Sequence, residues 1–80
     1  MSGRRLAAPV AASVRPDPAG IPRTVAGVAV DSVLEEWVVE DRWWTGLPVR
    51  RRYFELALVD GRNLSVFRDL VSGGWFLQRG

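Results

Sequence analysis

Apolar and polar side chains alternate along much of this chain. Phe54, Leu56 and Leu58 fall on one parity and Tyr53, Glu55 and Ala57 on the other, the two-residue period of a strand with one sheltered face. Short runs rich in valine, leucine and aromatic residues are separated by "RPDPAGIP" at 15–22, Ala26-Gly27, "TGLP" at 45–48, Asp60-Gly61 and "SGG" at 72–74. These separators are turn signals. The runs are too short for amphipathic helices and predict strands at about 9–14, 21–25, 28–39, 51–58, 62–69 and 74–79. The expected fold is therefore all-β, a small antiparallel meander of about five or six strands, either open or curled into a barrel-like sheet. It occupies 9–80 as a single small domain, with 1–8 as a flexible N-terminus.

A helix over 32–42 competes with one of these strands, because Ser32 to Glu35 has the form of a capping box. Val33, Val38 and Val39 favour the strand.

Parity decides the hairpin at Asp60-Gly61. A two-residue loop would place Leu64 and Val66 on the face opposite to Phe54, Leu56 and Leu58. A three-residue loop, Val59-Asp60-Gly61 with Gly61 left-handed, pairs Leu58 with Arg62, Leu56 with Leu64 and Phe54 with Val66, which makes one face continuously apolar. The other face then holds Tyr53 opposite Phe67 and Glu55 opposite Ser65. Val25-Ala26-Gly27 is expected to repeat the same device.

Composition narrows the class without naming a chemistry. At 80 residues, 48% hydrophobic and 25% charged, the chain fits one globular domain, in which only about 60% of the unfolded surface is hidden on folding. It contains no cysteine, which removes disulfides and thiolate sites and makes a reducing cytoplasm the expected compartment. The apolar stretch Leu6 to Val14 is interrupted by Pro9 and falls short of the about 20 residues of a membrane span. Although Arg4 and Arg5 precede it, a signal peptide is not expected, nor is a membrane partner.

Histidine and lysine are also absent, so the usual bases and nucleophilic amines are missing. No glycine-rich phosphate loop is present, and Ser13, Ser32, Ser65 and Ser72 have no recognisable base. A carboxylate site for magnesium built from Glu40, Asp41, Asp60 or Asp69 is a remote option; Asp60 is more simply a turn residue. The expectation is a noncatalytic protein with no cofactor and no metal.

All eleven cationic residues are arginine, and charge is segregated: residues 1–30 sum to +3, 31–41 to −5 and 42–80 to +4. Two readings follow. Acidic and basic strands lie side by side and neutralise one another, or a basic face meets a polyanion. The residues at issue are Arg42, Trp43, Trp44, Arg50, Arg51, Arg52, Tyr53 and Arg68. In an extended segment Trp43 and Trp44 point to opposite faces, and Arg51 shares the Tyr53 face while Arg50 and Arg52 share that of Phe54. With Arg62 as well, these side chains either belong to the core and its solvated edge or form an aromatic and basic contact surface. That surface suits a protein partner or, alternatively, single-stranded nucleic acid.

The stretch from Val33 to Gly80, with its tryptophan pair followed by R-x-Y-F, D-G-R, V-F-R-D and a final G-x-W-F-L, resembles a small actinobacterial domain-of-unknown-function family associated with error-prone DNA synthesis genes. It is also similar to the C-terminal tail of ImuB, a Y-family-polymerase-like protein, although this chain lacks a polymerase-like body. The resemblance implies a noncatalytic accessory module linked to DNA repair and translesion synthesis, docking onto a component of an error-prone polymerase assembly.

Overall fold

The computed structural model describes residues 9–41 and 49–78. Among these residues seven strands form one antiparallel sheet: β1 (Val10–Ala11), β2 (Val14–Pro16), β3 (Pro22–Val25), β4 (Val28–Asp41), β5 (Val49–Leu58), β6 (Asn63–Asp69) and β7 (Trp75–Leu77). Their order is β1-β7-β6-β5-β4-β3-β2, so everything from β2 onward is a meander of neighbours. The fold is all-β, as the alternation predicts, and no helix occurs among the described residues. The competing helix at 32–42 does not form over its described part, 32–41, where β4 pairs with β5.

The expected strand at 9–14 is two strands. β1 pairs with β7 and β2 with β3, at opposite ends of the sheet, yet only Ala12 and Ser13 separate them in sequence. Ala12 N–H donates to the Trp75 carbonyl (2.9 Å), and the Ser13 carbonyl accepts from Ala26 N–H (2.7 Å). One short segment thus holds both ends of the sheet, which curls into a half-barrel.

Two irregularities help the sheet bend. The β4 to β5 register shifts between Val30 and Ser32 and again between Val33 and Glu35, leaving extra residues on β4, and bulges of this kind increase twist and curvature. Phe54, Leu56, Leu58, Val66 and Val25 point to the concave side, each at most 3% exposed. Val14, Ile21, Val28, Val30, Leu64, Trp75 and Leu77 pack around them.

The hairpins show which turn chemistry prevails. At 59–61, Leu58 N–H donates to the Arg62 carbonyl (2.8 Å) and Gly61 N–H to the Leu58 carbonyl (3.0 Å), with Gly61 at φ 93°. Leu56 faces Leu64 and Phe54 faces Val66, the three-residue solution that parity requires. The Ala26-Gly27 hairpin differs from expectation: Val25 pairs directly with Val28, leaving a two-residue loop. Ala26 and Gly27 both have positive φ, 51° and 83°, as a type I′ turn demands. Keeping Val25 and Val28 on the core side outweighs the cost of alanine in the left-handed region, roughly 1–2 kcal/mol.

Candidate functional site: the β4–β5 arm

Beyond its first residues β4 has one neighbour among the described strands. Residues 24 and 25 of β3 pair with Ala29 and Val28 only, whereas β4 runs on beside β5 to the Asp41–Val49 pair. No described backbone group outside β5 hydrogen-bonds to residues 31–41. On the other side, β6 reaches no further than the Arg51–Asp69 pair. The two strands therefore end as an arm, and every residue from 31 to 40 is exposed.

The arm's convex face carries a ladder of aromatic rings. Trp37 stacks on Tyr53 with centroids 5.3 Å apart and planes 5° from parallel. Tyr53 meets Phe67 at 5.0 Å, and Phe67 meets Phe76 at 5.2 Å. Alternation puts all four on one face of successive strands, as the expected pairing of Tyr53 with Phe67 required. Arg51 lies over the Phe67 ring at 4.6 Å and donates from Nη1 to the Tyr53 hydroxyl at 3.3 Å. Phe67 is closed off at 1% exposure, while Trp37, at the open edge, is 40% exposed.

The concave face holds the ion pairs. Arg52 Nε donates to Glu36 Oε2 (2.7 Å) and Arg50 Nε to Glu40 Oε2 (2.8 Å). The acidic and basic blocks are thus neighbours that neutralise one another, as the first of the two charge readings had it. Arg52 also lies over Phe54 at 5.0 Å and donates to the Ala19 carbonyl (3.2 Å). A Cβ at Gly20 would sit 3.0 Å from Arg52 Nη1, the movable end of a long side chain, and it is the φ of 85° that reserves this turn position for glycine. Arg68 faces Arg52 across the strands, lies 5.8 Å from the Trp75 ring centre, and keeps a buried Nε without a partner among the described residues.

The candidate residues therefore divide between surfaces. Arg51 and Tyr53 belong to the convex face, and Arg50, Arg52 and Arg68 to the concave one. Arg62 sits at the opposite end of β5 in the 59–61 hairpin, bonded to Asp60 Oδ2 at 2.9 Å, so no single basic rim unites it with the triplet. Arg42, Trp43 and Trp44, together with the 45–48 turn and the 1–8 N-terminus, lie outside the described residues.

Sequence reasoning missed Trp37 as part of this surface and left undecided whether the sheet is open with an exposed edge or curled closed. The edge did have a signal: a run at 21–25 is far shorter than one at 28–39 and leaves much of the longer strand without a neighbour. Trp37 opposite Tyr53 depends on both bulges in β4, which no local pattern announces.

Two carboxylates are held below their ordinary pKa by turn geometry. Ser72 and Val71 N–H groups donate to Asp69 and favour its charged form. The backbone N–H of Arg62, helped by its guanidinium, does the same for Asp60. Both acids close hairpins, and no group of three or more acidic side chains suited to a metal ion occurs among the described residues. No family model, curated protein or solved structure matches the chain.

Proposed function

We propose that this protein is a noncatalytic protein-interaction module that meets its partner through the β4–β5 arm, in the setting of DNA repair and translesion synthesis. The carrying observation is the exposure of Leu34, Trp37, Val38, Val39 and Val49 on one projecting pair of strands, at 37–58% each. Apolar side chains grouped in this way are characteristic of contact surfaces. An exposed tryptophan at the edge is a residue type that anchors such contacts. The repair setting rests on the resemblance of residues 33–80 to the tail of ImuB.

The alternative, single-stranded nucleic acid, is less well supported by the same residues. Arg50 and Arg52 already hold carboxylates, and Arg51 is engaged by Phe67 and Tyr53. The rings of Trp37 and Tyr53 turn faces toward each other, leaving less ring face for a base.

Titration calorimetry with purified components of an error-prone polymerase assembly tests the proposal. A binding component is expected, with affinity falling at least about tenfold when Trp37 and Val39 become serine. Unchanged affinity in that variant would remove the arm from the interface. Oligonucleotide binding that weakens with a log-log salt slope of about −0.7 per phosphate would install the alternative.

A further inference from the structure

Resting on the proposed interaction role, we infer that β4 binds its partner by strand addition: an extended basic segment pairs with the open edge as a further strand of the sheet. Backbone geometry identifies the groups that would do it. Val59 N–H donates to the Ala29 carbonyl, whereas Leu58 N–H and the Arg50 carbonyl engage Arg62 and Leu70. Odd-numbered β5 residues thus aim their backbone at β4 and even-numbered ones at β6. Across the register, Trp37 and Val39 oppose Tyr53 and Arg51 and point their N–H and C=O groups inward. Glu36, Val38 and Glu40 consequently point theirs outward, at alternate positions along the open edge.

Among the described residues these donors and acceptors are unpaired, the feature that strand addition exploits. Where β3 stops, the edge opens into a shallow groove of about 400 Å³ between Pro22 and Arg23 on one side and Asp31 and Val33 on the other. An incoming strand has space there as well as backbone partners.

Charge selects the occupant. Residues 31–41 carry five acids and no base. Asp31 and Glu35 have no ion pair among the described residues, and Glu40 keeps half of its side chain exposed even while bonded to Arg50. A second copy pairing through the same edge would bring acids against acids with no cation from either edge, and a polyanion would be repelled. The matching strand is basic where it passes Asp31 and Glu35, the acids without an ion pair among the described residues, and carries β-branched or aromatic residues beside Trp37 and Val39.

The experiment uses the whole isotopically labelled chain, a short amidated peptide of alternating arginine and valine, and its glutamate-valine counterpart. With the basic peptide, amide exchange at Glu36, Val38 and Glu40 is expected to slow at least about tenfold, an effect lost at high salt. The acidic peptide is expected to do nothing. Val38→Pro removes an outward N–H that β5 does not use, so the fold should persist, seen as an unchanged circular dichroism spectrum, while the peptide effect disappears. Absence of protection, equal response to both peptides, or a wild-type dimer mediated by this edge would overturn strand addition. If polymerase-assembly binding survives Val38→Pro but not the Trp37 and Val39 serine variant, the interaction role stands and only strand addition fails.

Discussion

The two ends of the β4–β5 ribbon share one hydrogen-bonded ladder and have opposite surroundings. At one end, Phe54, Leu56 and Leu58 are at most 3% exposed, sheltered where the curled sheet brings Val14, Val25 and Leu77 over them. At the other, Val38 is 58% exposed although it pairs with Arg52 on the same concave face. Side-chain type does not explain the contrast, since both ends carry valines and aromatic rings. What differs is neighbouring structure: among the described residues, β3 and the 12–16 segment close over the first end and stop before the second. Pairing alone makes a strand, and only a covering surface makes a core.

Truncations break the comparison most forcefully. Phe54→Ala should cost about 3–5 kcal/mol, enough to leave much of a domain this small unfolded, whereas Val38→Ala on the same face should stay within about 0.5 kcal/mol. Urea titration followed by tryptophan fluorescence measures both. Equal effects would mean that the arm is covered in solution.

A second contrast lies within the aromatic ladder. Phe67 is enclosed by Tyr53, Phe76 and Arg51, so Phe67→Ala should approach the cost of Phe54→Ala. Trp37 is bounded by Tyr53 on one side, and Trp37→Ala should cost about 1 kcal/mol. Thermal melting of the two variants ranks them, and a reversed order would contradict the assignment of Trp37 to the open edge.

Smaller changes sharpen the same distinction. Ala26→Asn relieves a left-handed alanine at the core end and should stabilise by up to about 1 kcal/mol without altering exchange in the arm. Acid should act through Asp69 and Asp60. Because their folded pKa values are lowered, the stability they contribute is complete above the unfolded value near about 3.9 and is lost as pH falls toward the folded value. Asp69→Asn should flatten part of that acid dependence in melting experiments at a series of pH values. An unchanged profile would dissociate the 70–73 turn from the carboxylate.

How much of this was legible depends on the range of the interaction that decides each feature. The 59–61 hairpin follows from residues within one ribbon: Phe54, Leu56 and Leu58 share a face with Leu64 and Val66 in only one of the two loop lengths considered. The opposite faces of Arg51 and Arg52 follow from the same parity. The 26–27 turn defeated local reasoning because alanine seldom occupies a positive φ, and only the burial of Val25 and Val28 makes it worthwhile. The split of β1 from β2 depends on Trp75 and Ala26, distant partners that Ala11, Ala12 and Ser13 do not advertise. The convex surface was legible as Tyr53 opposite Phe67, but Trp37 joined it through bulges whose positions reflect curvature of the whole sheet.

Residue-resolved amide exchange of the free protein tests the open edge most directly. The amides of Trp37 and Val39, bonded to β5, should be protected, and those of Glu36, Val38 and Glu40 should exchange almost as freely as in an unstructured chain. Uniform protection from 36 to 40 would show that another strand already occupies the edge and would contradict the account.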